Sequence, residues 1–177
     1  MGKVLKQEKV KLVASIIYKS DKMREIAEKK IEGVLGRKEA LEKELTFDLT
    51  DYYYGEMGGP LRRKLLCFKG LADKENIEEI KIRTNRLESK LAVDGKRTVN
   101  IDPGYITEAK LVLLTTKDYV HRVHIGKKIF AETTLHFCGG RFNAWPWTYP
   151  DYASEEIRAY FESVRGLYVE QLKAGRK

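Results

Sequence analysis

His121 and Glu132 lie in the chemically densest stretch of the chain, TTKDYVHRVHIGKKIFAETTLHF, residues 115–137, which holds all three histidines. Gly126-Lys127 between two apolar-rich runs predicts a two-residue hairpin turn with glycine first. Counting outward pairs Val123 with Phe130, His121 with Glu132 and Tyr119 with Thr134, each pair on one face and about 5 Å apart. Arg122, His124 and Ile129 then fall on the other face. A carboxylate opposite an imidazole fixes its tautomer and leaves the other nitrogen free to exchange a proton near neutral pH. His121 and Glu132 are therefore the candidate catalytic pair. The same spacing also fits an ordinary half-buried ion pair between two strands, and a one-residue slip would separate them.

Other polar residues could serve the same site. Asp102 ends the run RTVNID just before Pro103-Gly104, and Asp118 closes TTKD. With His121 they could hold a divalent metal. Lys81, Asn85 and Glu88 recur at helical spacing and share one line on a helix, which is usually a solvated face. Arg62, Lys81, Arg97, Lys117 and Arg122 could supply positive charge to a phosphorylated or otherwise anionic ligand, with arginine able to bind it through two nitrogens. Thr134 and Tyr149 complete the candidate ligand-binding set. Residues 137–153 read as one long irregular segment with Trp145, Trp147, Tyr149 and Tyr152, either a lid, a stacking platform or a cover for a sheet edge.

Several mechanisms are excluded by what is missing. There is no G-x-x-x-x-G-K-[ST] loop, no G-x-G-x-x-G after a strand, no G-x-S-x-G elbow and no H-E-x-x-H. Cys67 and Cys138 are the only cysteines and cannot form a zinc ribbon by themselves. They read as reduced thiols of a cytoplasmic protein. No apolar run approaches the roughly 20 residues that span a bilayer, so no membrane association is expected. The formal charge of +8 over 177 residues favours anionic partners, and equally suits a soluble surface.

The elements that must position these side chains follow from periodicity. Residues 10–18 read as a buried strand and Ser20 as the cap of a helix that Gly36 ends. KELTFDLT, 43–50, alternates, with Leu45, Phe47 and Leu49 on one side. DYYYGEMGGP reads as a loop and 61–70 as a strand. Asp73 can cap a second helix with Ile77, Ile80, Thr84, Leu87 and Leu91 inward. RTVNID is a short strand stopped by Pro103-Gly104. Three further strands and a C-terminal helix opened by Ser154 follow, with Ile157, Tyr160, Phe161, Val164 and Leu167 inward. The reading is one α+β domain, residues 1–177. It begins as a ferredoxin-like β-α-β-β-α-β layout, extended by antiparallel strands, with helices mainly on one face of a mixed sheet.

Glu56-Met57-Gly58, the Lys81/Thr84/Asn85/Glu88 stripe, RTVNIDPGY, TTKDYVHR, AETTL and WTYPDY together resemble the bacterial family named domain of unknown function 4416, over roughly residues 10–170. The resemblance implies a stand-alone, single-domain bacterial protein and supplies no reaction. Its motif positions coincide with Asp102, Lys117, Asp118, His121, Arg122, Glu132 and Asp151. Two functional readings follow. One is a binder of, or enzyme acting on, a small anionic ligand, which requires a concave pocket. The other is an RNA-binding module that stacks bases on a basic, aromatic sheet face, although no RNP-type pattern is present.

Overall fold

The computed structural model describes residues 2–3, 7–48 and 50–175. Leu49, expected to face the same way as Leu45 and Phe47, lies outside them. The elements run β1 (Lys11–Tyr18), α1 (Asp21–Leu35), β2 (Lys38–Phe47), α2 (Tyr54–Met57), β3 (Leu61–Phe68), α3 (Glu78–Leu91), β4 (Val99–Ile106), β5 (Lys110–Thr115), β6 (Val123–Gly126), β7 (Ile129–Cys138), β8 (Arg141–Ala144) and α4 (Glu155–Gly175). The fold is α+β.

The strands form one sheet in the order β2-β3-β1-β4-β5-β7-β6, with β8 also on β7. Each β-α-β crossover, β1-α1-β2 and β3-α3-β4, straddles one intervening strand, which is a split β-α-β layout. Among the described residues the paired strands run antiparallel. A strand separates the two parallel members of each crossover.

β1 is mostly apolar and buried at every position, as a central strand covered on both faces must be. Its alternate residues feed two cores. Leu12, Ala14 and Ile16 pack with Ala27 and Ile31 of α1 and Leu87 and Leu91 of α3. Val13 packs instead with Ile157, Phe161, Val164 and Tyr168 of α4. Two long helices share one face, and α4 covers the other. Ser154 caps α4 by accepting the Ile157 N–H at 3.3 Å, whereas Ser20 stands at the start of α1 without a side-chain cap bond.

Several boundaries differ from expectation. Pro103-Gly104 does not stop β4. Pro103 pairs with Ala14 on the β1 side, while β5 joins β4 only from Gly104 onward, so the missing proline N–H leaves no ladder bond unmade. Gly104 is required there. A Cβ at this position would come within 2.3 Å of the Val112 carbonyl oxygen. Asp73 does not cap α3, which begins at Glu78 after a turn. The tyrosine-rich segment contains the short helix α2. Residues 137–153 are not one irregular loop: Gly139 and Gly140, both with positive φ, turn the chain back to form β8 against β7.

Candidate functional site

β4 and β5 pair only over Gly104–Ile106 and Leu111–Leu113, and beyond this they part. The Ile101 peptide therefore faces a gap where a strand would otherwise hydrogen-bond it. Two side chains of α3 take that strand's place. Glu88 Oε1 accepts the Ile101 N–H at 2.7 Å, and Lys81 Nζ donates to the Ile101 carbonyl at 2.8 Å. This is what the Lys81/Asn85/Glu88 line does. It is not a solvated face: Lys81 and Glu88 are buried.

The gap opens into a cleft of ≈ 830 Å³. Its α3 wall carries Lys81, Asn85 and Glu88, and its β4 edge carries Arg97, Asn100 and Asp102. The opposite wall carries Lys117, Arg122 and Glu132, and Tyr52, Tyr53 and Tyr149 stand around it. Along the β4 edge the polar groups form a chain. Glu56 Oε2 accepts from Arg97 Nη2 at 2.6 Å, Arg97 Nη1 donates to Asn100 Oδ1 at 2.9 Å, and Asn100 Nδ2 donates to Asp102 Oδ2 at 2.7 Å. Lys81 Nζ closes the chain on Asp102 Oδ1 at 3.4 Å.

Glu88 differs from the other carboxylates of the cleft. Its side chain is nearly enclosed, it has no cation within ion-pair distance, and burial pushes its carboxyl up to about 7, against the opposing pull of Lys81. Perturbed acids in clefts mark functional sites more often than chance.

Glu132 joins the far wall to the hairpin. Its Oε2 accepts from Arg122 Nε at 2.7 Å and lies 3.3 Å from His121 Nε2, while Thr134 Oγ1 donates to its Oε1 at 3.2 Å. The expected His121–Glu132 contact forms, but not by the expected register. The turn is Lys127-Lys128, both with positive φ, and the pairs are Gly126↔Ile129, His124↔Phe130 and Val123↔Ala131. A bulge at Ile125 absorbs the difference, and this register buries Ile129. His121 and Arg122 precede β6 in a turn, so alternation does not separate them and both reach Glu132. Arg122 was expected on the opposite face; it instead makes the shorter contact.

His121 does not line the large cleft. It lies on the other side of Glu132, beside a smaller hollow of ≈ 340 Å³. There its ring stacks on Trp147 at 5.6 Å, and Trp147 stacks on Trp145 at 5.2 Å. Thr134 is buried behind Glu132. Arg62 is also away from the cleft, held by Asp21 at 2.7 Å and Glu44 at 3.2 Å. Asp118 is exposed and outside the cleft walls. Among the described residues no three His, Cys, Asp or Glu side chains converge as a metal site needs, so Asp102, Asp118 and His121 do not form one.

Sequence reasoning missed Arg63. It is buried in the cleft wall between the rings of Phe47 and Tyr152, and its Nη2 meets Asp151 Oδ2 at 2.6 Å. Its Nε and Nη1 make no hydrogen bond. Alternation in β3 carries the signal: Leu61, Leu65 and Cys67 share the inward face, so Arg63 between them must be a buried cation. Tyr53, Asn100 and Glu56 carry no comparable signal, since only the fold brings them to Arg97. Cys67 is enclosed and its thiol is pushed up to about 11 by burial, which makes it an unreactive group.

No helix among the described residues is long and apolar enough to cross a membrane. Comparison with curated proteins and with solved structures finds no match. A family model matches residues 8–168, and the chain belongs to the family described as Domain of unknown function (DUF4416).

Proposed function

We propose that the cleft binds a small anionic ligand, a phosphorylated metabolite or a nucleotide. The observation that carries this reading is the state of its cations. Among the described residues Lys117 Nζ has no carboxylate partner and donates to the Tyr52 hydroxyl at 2.9 Å, which lowers that phenol's pKa. Arg63 keeps two nitrogens unpaired inside the wall. A concave site that holds an ammonium without a carboxylate partner and a buried guanidinium with two open nitrogens suits a ligand with an anionic end and a polar body. A divalent cation that arrives with a phosphate would be held by Asp102 and the phosphate oxygens.

A thermal-shift screen tests this, with nucleotides and sugar phosphates, each with and without magnesium, and short RNA. A ligand at about 100 times its dissociation constant adds roughly 2.7 kcal/mol of stability. The reading expects a small anion to stabilise the wild type and to lose at least tenfold in affinity in Lys117→Ala. If no small anion stabilises the wild type, the reading fails.

A second reading is supported by the exposed rings. Tyr119, Val120, Val123 and Trp147 are exposed together, and the ring series Tyr119–His121–Trp147–Trp145–His136 is continuous. Such a series suits stacking with bases of single-stranded RNA. Stabilisation by RNA alone, lost in Trp147→Ala and kept in Lys117→Ala, would favour it.

A further inference from the structure

We infer that Glu88 binds the ligand as a neutral acid, donating a hydrogen bond from Oε2 to an anionic oxygen, so that binding in the cleft is coupled to proton uptake. This rests on the anionic-ligand reading and adds to it a chemical preference: an oxyanion that accepts a proton-bearing carboxyl.

The geometry of α3 leads to it. Glu88 points into the gap between β4 and β5 because its Oε1 is fixed by the Ile101 N–H. That bond is structural, replacing a ladder bond, so the side chain cannot turn away without orphaning a buried peptide. Oε2 makes no hydrogen bond among the described residues, and Glu88 lines the cleft. A buried carboxyl with one anchored and one open oxygen needs either a counter-ion or a proton. The surrounding charges supply no direct counter-ion. Lys81, two turns earlier on α3, spends its ammonium on the Ile101 carbonyl and Asp102. Arg97, leading into β4, is committed to Glu56 and Asn100. Asp102 on β4 adds a repelling negative charge. The proton is the remaining solution, and burial favours it in the same direction. Asn85, one turn before Glu88 on the same line, leaves its side-chain amide without a partner in the cleft as well. A neutral acid beside a neutral amide is a recognition surface that repels no anion.

Sulfate is a suitable probe because its charge does not change across the relevant pH range. Isothermal titration at pH 6 and pH 8, in two buffers of different ionisation enthalpy, reads affinity and proton uptake together. The wild type is expected to bind about tenfold more weakly at pH 8, since only the protonated fraction is competent. Proton uptake should accompany binding at pH 8. Glu88→Gln, which keeps a neutral donor, should bind equally at both values with no uptake. Uptake that survives in Glu88→Gln assigns the proton elsewhere and overturns the inference. Equal wild-type affinity at pH 6 and pH 8 overturns it too, while leaving the anionic-ligand reading intact. No sulfate binding at either pH overturns both. If Glu88→Gln does not fold, ¹³C titration of wild-type glutamate carboxyls decides: one resonance moving with a midpoint near 7, and shifting upward with sulfate, is expected, and its absence refutes the assignment.

Discussion

Glu132 and Glu88 are two buried carboxyls on facing walls of one cleft, and the fold meets the cost of burying them in opposite ways. Glu132, with its side chain only 2% exposed, receives a guanidinium, an imidazole and a hydroxyl. Glu88 receives one neutral peptide N–H. The first wall is held by charge and the second by a proton. The difference shows that position decides chemistry here. Glu132 lies at the hairpin, where the turn before β6 can deliver Arg122 and His121 together. Glu88 lies over a sheet gap whose neighbouring cations are already engaged.

Removing Glu132 should be the costliest way to break this contrast. Glu132→Ala leaves Arg122 enclosed without its counter-charge, and breaking a buried pair costs about 3–5 kcal/mol. Urea unfolding would show it, and a loss under 1 kcal/mol would mean that Arg122 escapes to solvent and the wall is not held by charge. Next in size is the pH response of Glu88. Its folded pKa is raised above its unfolded value, so the folded state holds more protons between them. Stability that is present at pH 4–5 is therefore lost as pH rises through about 7. The full shift corresponds to roughly 3 kcal/mol, an upper figure for a group in contact with a cleft. Glu88→Gln should match the wild type near pH 4.5 and exceed its stability at pH 8.5; parallel stability curves would show that Glu88 titrates normally.

Gly104→Ala probes the last shared rung of β4 and β5, between the two walls. The Cβ would press on the Val112 backbone, and such overpacking costs about 1–3 kcal/mol. Hydrogen exchange should localise the loss to β4 and β5; unchanged protection there would mean the strands are not in close contact. The smallest effect belongs to His121→Ala, which removes a ring stack on Trp147 and the longer contact to Glu132, about 1 kcal/mol. Small-anion affinity should persist in this variant, because Arg122 keeps Glu132 paired. Its loss would return His121 to the centre of the site.

How much of this was legible varies by region. α1, α3 and α4 announce themselves through apolar spacing, because each buries one stripe. β1 and β3 do so through length and apolar content. β8 and the start of β2 do not. β8 has four residues, too few for a period, and β2 begins in KEALEK, whose composition carries no strand pattern; β6 was expected through its hairpin turn but starts only at Val123. Within the site, Lys81, Asn85 and Glu88 were placed on one line, but solvent exposure was the natural expectation, since nothing local shows that β4 and β5 diverge. His121 and Glu132 were brought together by a register that was wrong by one residue; the turn before β6 restored the contact that the slip would have removed.

The sequence by itself determined which segments are amphipathic, that a carboxyl and an imidazole meet near the hairpin, and which familiar catalytic motifs are absent. These follow from covalent spacing, which reaches only a few residues. Tertiary structure decided that α4 takes the opposite face of the sheet, that Arg63 and Asp151, 88 positions apart, join, and that Glu88 is enclosed. The enclosure of Glu88 depends on where β4 and β5 part, and all three outcomes rest on non-local packing that no local pattern encodes.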